Sequence, residues 1–428
     1  MNIYPFWGKM SLRLIDFLRG TNILSYLWQL REEQFLPADR LEQMSKQKYQ
    51  LQVQLAKIST TYYKDISHND PMPILTKDLI RQNHKGLINS SYKGKLIHKA
   101  TGGSSGNPLV YLTTKEAQSF MWAGIILSWE VGGFKLGNKI AFVAGTALSK
   151  SDFKHSIFHA LLNIKTYSAF DLTDERIAAY LHDMRKKKVK IIYAYSSALD
   201  VIADYMISKG SNGIPTLKAI ISTAEILRPS SRKKIESAFK VKVYNQYGCN
   251  EAGISAFECE DGNMHLINTS SWTYTDAEDN LMATNLVNKA FIMINYFTGD
   301  KLIYSKKKVC SCGRGYPIID EVIGRTFEFI TDMKGKLLHA AFFSILFRND
   351  DSIERYQIQY DAETIHLLLK VKYNKEISTH YNQYIQKVKE HLAFKSYDLH
   401  LNVPFYSEKN GKSLQVVNLT KLHHENLV

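Results

Sequence analysis

Residues 101 to 106 form a run of small residues that could bind phosphate. The run consists of three glycines and three hydroxyl residues: Thr101, Gly102, Gly103, Ser104, Ser105 and Gly106. Glycines permit backbone conformations that are closed to other residues, so successive amides and hydroxyls can surround one anion. The run lacks the Gly-Lys-Ser/Thr ending of the Walker loop. Because Pro108 and an apolar strand at 109–112 follow, the sequence predicts an ordered phosphate-binding loop rather than a linker.

The stretch from Ala219 to Gly253 predicts a strand, a helix and a second strand. An apolar run at 217–221 ends in a polar turn, Pro229 suits the first turn of a helix, and residues 241–244 alternate like a buried strand. A parallel crossover collects ligands at the carboxyl ends of its strands. The polar residues after those strands are therefore expected to converge: Glu225, Tyr247 and Glu251.

Four side chains could hold a metal ion: Cys259, His265, Cys310 and Cys312. Three thiols and one imidazole are the ligands of a structural zinc site, and each pair lies beside a glycine-containing turn. Free buried thiols are the alternative, since Cys-x-Cys is tighter than the common spacing. We predict structural zinc, with Cys249 outside the site.

Composition bounds the class of protein. The chain has 428 residues, 45% of them apolar, which suffices for a large core and two or three domains. With 22% charged residues it is globular rather than disordered. The net charge of +14 favours anionic partners, but the basic residues are dispersed and accompany no nucleic-acid motif. Nucleic-acid binding is therefore not expected.

Residues 1 to 35 mix apolar and charged side chains in a pattern typical of a helix. Charges interrupt every apolar run and no cleavage-site pattern follows, so neither a signal peptide nor a membrane span is predicted. We expect this segment to pack against the body of a cytoplasmic protein. Peripheral membrane contact is left open, as is a homodimer.

An α/β body is predicted from helices that alternate with short apolar strands. Helices are expected at 116–131, 196–208 and 230–239, and strands at 140–143 and 191–195. Such alternation is typical of a layered fold with a mostly parallel sheet.

The end of the chain predicts a smaller α+β unit. Strands are expected at 355–360, 364–371 and 398–403, and a helix with one apolar face at 375–393. A turn containing Gly411 and Lys412 follows.

Taken in order, these stretches resemble the motifs of the adenylate-forming superfamily, which includes acyl-CoA synthetases, peptide-synthetase adenylation domains and luciferases. Within it, the chain is most similar to phenylacetate-CoA ligases and CapK-type capsule-biosynthesis proteins. The resembling segments are the 101–106 loop, Tyr-Gly-Cys-Asn-Glu at 247–251, Tyr-Phe-Thr-Gly-Asp at 296–300, Gly-Arg at 324–325 and Gly-Lys at 411–412. The chain departs from the family at Glu328, where aspartate is usual, and lacks the arginine that commonly follows the lysine.

The resemblance implies a role for each segment in binding ATP and Mg²⁺. The 101–106 loop would take the phosphates, Glu251 would hold magnesium, and Lys412 would stabilise charge as the α-phosphate is attacked. The remaining nucleotide contacts that it implies are made by Ala224, Glu225, Tyr247, Gly248, Asp300 and Arg325.

The resemblance also implies the architecture and the reaction. A large AMP-binding domain at 1–325, with a zinc-binding insertion around 259–312, would precede a small mobile domain at 326–428. A small carboxylic acid would be activated as acyl-adenylate and passed to a thiol such as CoA. Two alternatives stay open: transfer to an amine such as an amino sugar, and a non-catalytic member that binds nucleotide.

Overall fold

The structure is a computed structural model that describes residues 4–67, 70–100, 109–144, 153–169, 172–325, 329–339, 341–347, 350, 352–372, 378–406, 414–420 and 422. Its helices are α1 Tyr4–Arg19, α2 Ile23–Glu33, α3 Ala38–Ser59, α4 Lys77–Gln82, α5 Lys115–Val131, α6 Phe153–Leu161, α7 Asp174–Lys186, α8 Ser196–Ser208, α9 Pro229–Phe239, α10 Ala341–Phe347 and α11 Ser378–Lys389, with a 3₁₀ turn at His84–Leu87. Its strands are β1 Ile97–Ala100, β2 Val110–Thr113, β3 Ile140–Ala144, β4 Ile164–Ser168, β5 Ile191–Tyr195, β6 Ala219–Thr223, β7 Lys242–Cys249, β8 Ile254–Glu258, β9 Met264–Leu266, β10 Ser271–Thr275, β11 Asn280–Asn285, β12 Tyr296–Tyr304, β13 Ile318–Arg325, β14 Phe329–Thr331, β15 Leu337–His339, β16 Ile353–Tyr360, β17 Thr364–Val371, β18 Ser396–Leu401 and β19 Val416–Asn418.

An eleven-stranded sheet in the order β10-β11-β12-β13-β9-β8-β7-β6-β5-β3-β4 forms the centre of the large domain. The strands from β4 to β7 are parallel, and β7 pairs antiparallel with β8. Parallel strands have both faces covered, so they require apolar residues on both. The pattern in β3 shows this, since Ile140 and Phe142 enter one core while Ala141 and Val143 enter another. The expected layered α/β fold is confirmed.

Helices cover the two faces of the parallel half. Residues of α1, α2 and α5 pack into one core, and residues of α7, α8 and α9 into the other. The N-terminal segment thus packs against the body, with Leu12 and Ile15 buried beside α5. Within the described part of the chain, none of the helices combines the length and apolar character that crossing a membrane requires.

The antiparallel half of the sheet includes residues 259–312, for which the sequence predicts a zinc-binding insertion. Strands β9 to β12, within 259–312, are hydrogen-bonded in the main sheet, so this segment is part of the sheet rather than a separate insertion. Strand β7 was expected to end near Tyr244 but continues to Cys249, which places Tyr247 and Gly248 inside the strand. Hydrogen bonds to β8 extend it beyond the apolar run.

The C-terminal unit has its own sheet, in the order β18-β17-β16-β19, and its own apolar core. The apolar face expected on its helix is found on α11, where Tyr381 and Val388 are fully buried. The last strand of the large sheet ends at Arg325, next to the boundary predicted at 325/326. That boundary remains a prediction.

Candidate active site and metal centre

The residues predicted to bind nucleotide lie around the carboxyl ends of β6 and β7. Ala224 directly follows β6 with a left-handed φ of +65°. Next to it, the Glu225 carboxylate accepts hydrogen bonds from the backbone amide of Ser197, at 2.7 Å, and from its hydroxyl, at 3.0 Å. Ser197 lies in the first turn of α8, which follows the neighbouring strand β5. Glu225 therefore caps this helix and joins the ends of two parallel strands.

Tyr247 and Asp300 meet although they belong to distant strands. The Tyr247 hydroxyl donates to the Asp300 carboxylate at 2.6 Å. Three strands separate β7 from β12 in the sheet, a distance of about 19 Å if the sheet were flat. The antiparallel half must therefore curl, and the apolar residues inside the curl form a core of their own. Burial and the neighbouring Asp300 carboxylate raise the pKa of Tyr247 well above its usual value, so the phenol stays protonated and donates.

Arg325 lies at the same level as Asp300. The two residues are register partners on the paired strands β12 and β13. The Tyr-Phe-Thr-Gly-Asp and Gly-Arg motifs, separated in sequence, are thus brought side by side.

Glu251 lies next to the hairpin that flanks the glycine loop. Its side chain is buried, and its neighbours Cys249 and Ala252 belong to the same apolar core as Tyr111 of β2. Burial, together with the negative charges of Glu251 and Cys249, raises the pKa of Tyr111. Strands β1 and β2 pair with Ala100 opposite Val110, so they form the two sides of a hairpin. Glu251 is therefore near the strands that flank the loop, while residues 101–106 themselves lie outside the described residues.

Several predicted site residues lie outside the described residues: Thr101, Gly102, Gly103, Ser104, Ser105, Gly106, Glu328 and Lys412. The chain on both sides of Lys412 is nevertheless held by one side chain. Gln357 of β16 donates to the carbonyl oxygens of Tyr406 and Leu414, each at 2.8 Å, and accepts from the Tyr406 amide at 2.8 Å. It is fully buried. Gln357 therefore clamps the two ends of the segment that contains Lys412.

The sulfur and nitrogen atoms of the four predicted metal ligands converge. All four ligand atoms lie within 4.8 Å of one another. The Sγ atoms of Cys259 and Cys310 are 3.7 Å apart, and Cys312 Sγ is 3.3 Å from His265 Nε2. A tetrahedral zinc ion with Zn–S bonds of about 2.3 Å requires sulfur atoms about 3.8 Å apart. The separation of the Cys259 and Cys310 sulfur atoms matches that spacing.

The surroundings of these side chains prepare them for a cation. His265 Nδ1 lies 3.1 Å from the Tyr316 carbonyl oxygen, which can only accept, so the hydrogen sits on Nδ1 and the Nε2 lone pair faces the thiols. Burial lowers the pKa of His265, which keeps the imidazole neutral. Burial raises the pKa of Cys259 to about 12. A buried thiol of this kind ionises only when a cation compensates its charge.

Two tight turns carry the ligand pairs. In the first, the Cys259 amide donates to the Asn263 carbonyl oxygen at 2.8 Å, and in the second the Gly313 amide donates to the Cys310 carbonyl oxygen at 3.1 Å. The Arg314 guanidinium binds both carboxylate oxygens of Glu260, at 2.5 and 3.1 Å, and so ties the turns together. Gly313 has a φ of +79°, a conformation that favours glycine.

A cluster of charges connects the two domains and was not foreseen from the sequence. Lys234 of α9 contacts Asp200, Asp204 and Glu354 at 3.0, 2.8 and 3.2 Å. Lys370 of β17 contacts Asp204 and lies 3.7 Å from Glu354. Asp200 and Asp204 belong to the large domain, while Glu354 and Lys370 belong to the C-terminal unit. No sequence motif marks such a cluster, because its residues come from four elements. Asp200 and Asp204 lie one turn apart on α8, and the other three residues lie on α9, β16 and β17.

No family model matches the chain. It is 25% identical to Protein CapK of Staphylococcus aureus over 339 residues, which are 77% of this chain and 74% of that protein. Among solved structures it is similar to 2-hydroxyisobutyryl-CoA ligase in the postadenylation state, in complex with an acyl-AMP. The TM-score is 0.68 at 14% identity, and 93% of each chain is covered.

The same ligase in the thioesterification state, with acyl-AMP and CoA, gives a TM-score of 0.53 at 15% identity. Coverage is 93% of this chain and 94% of that one. The resemblance seen in the motifs is confirmed: the chain has the fold of the acyl-CoA ligases of the adenylate-forming superfamily and is similar to Protein CapK over three quarters of its length.

Proposed function

We propose that the protein uses ATP to activate a carboxylic acid as an acyl-adenylate and then passes the acyl group to a thiol such as CoA. The carrying observation is the hydrogen bond from Tyr247 to Asp300 across a curled sheet, with Arg325 as the register partner of Asp300, in a chain with the fold of acyl-CoA ligases. These residues come from three motifs and three strands. Their assembly supports a nucleotide site that no single motif specifies.

The side chains suggest a division of labour at this edge. Asp300 would accept from the ribose hydroxyls, and the ring of Tyr247, fixed by its bond to Asp300, would lie against adenine. Arg325 would contact the nucleotide. Ala224 and Glu225 would border the same edge, where Glu225 already fixes the end of α8.

Glu251 and the glycine loop would serve the phosphates. A carboxylate is an oxygen ligand that Mg²⁺ prefers, and the buried Glu251 would supply it near the strands that flank the loop. Magnesium, when bound, would neutralise phosphate charge. Attack by the substrate carboxylate on the α-phosphorus forms the acyl-phosphate bond and breaks the bond to pyrophosphate. The chain's contribution is placement and charge stabilisation, with Lys412 beside the α-phosphate.

We also propose that Cys259, His265, Cys310 and Cys312 hold a structural zinc ion. The four ligands form a complete set, three of them are buried, and the Cys259–Cys310 spacing fits a tetrahedral ion, so the set would leave no ligand position for substrate. The ion would fix the two turns at the edge of the main sheet. This role is separate from the reaction.

An amine acceptor is the second candidate for the transfer step. The observation that favours it is the similarity to Protein CapK over 77% of the chain, which suggests a role in capsule polysaccharide assembly and hence an amino sugar as acceptor. The activation step would be the same, so only the second half-reaction distinguishes the candidates.

The decisive experiment is ATP–pyrophosphate exchange, screened over aromatic, fatty, hydroxy and amino acids. An acid that supports exchange establishes the first half-reaction, and product analysis with CoA or amino sugars then identifies the acceptor. Glu251→Gln should weaken the magnesium-dependent part of ATP binding. A protein that binds ATP without exchange for any acid would be a non-catalytic member. Calorimetry that detects no ATP binding at millimolar nucleotide would refute both the proposed enzyme and the non-catalytic nucleotide-binding protein.

A further inference from the structure

Helix α1 presents a second apolar face to solvent. Its buried face enters the core through Leu12 and Ile15. The exposed face, called here the α1 patch, consists of five large apolar side chains with the exposed fractions given: Trp7 64%, Met10 44%, Leu14 45%, Phe17 84% and Leu18 60%. At 3.6 residues per turn these positions fall in an arc about 100° wide, on the side away from Leu12. Five such residues side by side form a contiguous patch rather than scattered surface residues.

The helix is held rigidly in the orientation that exposes this patch. Gly8 packs so closely on the neighbouring chain that a Cβ atom there would lie 2.1 Å from the backbone carbon of Leu136. The next helix is fixed by Asp16, whose carboxylate accepts from the amides of Ile23 and Leu24 at 2.8 and 2.9 Å. The patch is therefore a built surface and not the result of a loosely attached helix.

The charged residue of α1 that borders the patch is basic. Helix α1 carries Lys9, Arg13 and Arg19, of which Lys9 and Arg19 lie over the rings of Trp28 and Phe158, and its one acidic residue is Asp16. Asp16 lies well away from the patch, and its carboxylate is engaged in capping α2. Arg13 is exposed and flanks the patch along one edge. An apolar arc with aromatic residues and a basic edge is the pattern of a helix that lies in a membrane interface.

We propose that the α1 patch docks on an anionic lipid surface. A second copy of the chain fits less well. A two-fold contact through this face would bring the basic edges of two chains together, each chain carrying a net charge of +14. An anionic lipid surface instead complements both the apolar arc of the patch and its basic edge. Helix α1 would lie on the membrane without crossing it, and the proposal does not depend on which reaction the protein catalyses.

The test is co-sedimentation of the full chain with vesicles of phosphatidylcholine alone or mixed with phosphatidylglycerol. The protein should bind the anionic vesicles more tightly, and binding should weaken as salt increases. The double variant Phe17→Ser/Leu18→Ser should lower the partition coefficient for vesicles at least about tenfold, because it removes apolar surface that the membrane would bury. The fold should stay intact, because both side chains are exposed to water. Arg13→Glu should lower it at least about fivefold.

A matched control removes two exposed apolar residues of α3, Leu51→Ser and Ile58→Ser, which are 61% and 83% exposed. This variant should bind vesicles as the parent does, and all variants should keep the parent's melting temperature and ATP affinity. The proposal is wrong if the parent does not bind anionic vesicles, or if the α1 double variant binds as well as the parent. It is also wrong if the parent is a lipid-independent dimer that the double variant converts to a monomer, since the patch would then be a subunit interface.

Discussion

The proposed metal centre and the proposed active site are assembled in opposite ways. The candidate metal ligands lie on or beside two tight turns, which Arg314 and Glu260 tie together, and the set is complete without any other part of the chain. The active site takes Tyr247 and Asp300 from a curled sheet and expects Lys412 from the C-terminal unit. A structural ion needs a closed and rigid set of ligands, whereas a two-step reaction needs groups that can be exchanged between steps. The rigid ligand set of the proposed metal centre therefore lies apart from the groups that would carry out the reaction.

The largest expected effect tests whether the active site is divided. Lys412→Ala should leave ATP affinity nearly unchanged but reduce pyrophosphate exchange by about two to three orders of magnitude, the usual loss for one charge-stabilising group. Transfer from separately supplied acyl-adenylate should survive. Calorimetry and the two half-reaction assays measure this. Lys409→Ala is the matched control, and an exchange defect there instead would assign the catalytic role to the other lysine.

The next effect concerns the closed centre. Cys310→Ser should abolish stoichiometric zinc and destabilise the chain by about 3 kcal/mol, since a structural ion contributes directly to folding. Elemental analysis and thermal unfolding measure the two losses. Cys249→Ser removes a thiol outside the cluster and should keep the zinc. Parent protein purified without chelator and found free of zinc would show that the four side chains are only a buried polar cluster.

A smaller effect is expected at the clamp on the Lys412 segment. Gln357→Met keeps the side-chain volume but leaves two carbonyls and one amide without their partner, which should destabilise the C-terminal unit by about 1–3 kcal/mol. Pyrophosphate exchange should fall about tenfold while transfer from supplied acyl-adenylate is unchanged, because only the first step needs Lys412 in place.

Gln359→Met is the control for the clamp, because Gln359 donates to Gln357 at 2.8 Å but does not itself hold the segment. It should show a much weaker exchange defect. Equal losses in both half-reactions of Gln357→Met would mean that Gln357 only stabilises the fold.

The smallest effect tests the charges between the domains. Lys370→Met removes the contacts with Asp204 and Glu354 and should shift the ratio of the two half-reaction rates by about threefold, since a partly exposed ion pair contributes little. Lys372→Met, an exposed neighbour, should leave the ratio unchanged. A ratio that does not change in the Lys370 variant would show that these charges do not bias the arrangement of the domains.

The same cluster predicts a dependence on pH. Burial opposes ionisation of Asp204, but hydrogen bonds from Lys234 and Lys370 lower its pKa below the ordinary 3.8. A carboxyl group with a lowered pKa stabilises the folded state fully above its ordinary pKa, and this contribution is lost as the pH falls through the lowered value. The Asp204→Asn variant should therefore lose less stability than the parent between pH 5 and pH 2, as measured by denaturant unfolding at a series of pH values.

The amino-acid sequence by itself determined the local elements and the order of the motifs. Helix α8 and strand β5 have the predicted bounds because apolar periodicity decides short buried elements. The zinc ligands could be named because cysteine is rare in this chain and its chemistry is distinctive. The extension of β7 could not be predicted, because pairing with β8 and not the residues of β7 alone decides where the strand ends.

Only the tertiary structure decided which groups meet. The curl of the sheet brings Tyr247 to Asp300 across three intervening strands, and register alone places Arg325 opposite Asp300. The cluster around Lys234 and the clamp of Gln357 carry no sequence signal, since a buried lysine or glutamine becomes meaningful only when its partners are known. Local pattern fixes the elements because it depends on neighbours in the chain. The site depends on neighbours in space, and these are set by the packing of the whole chain.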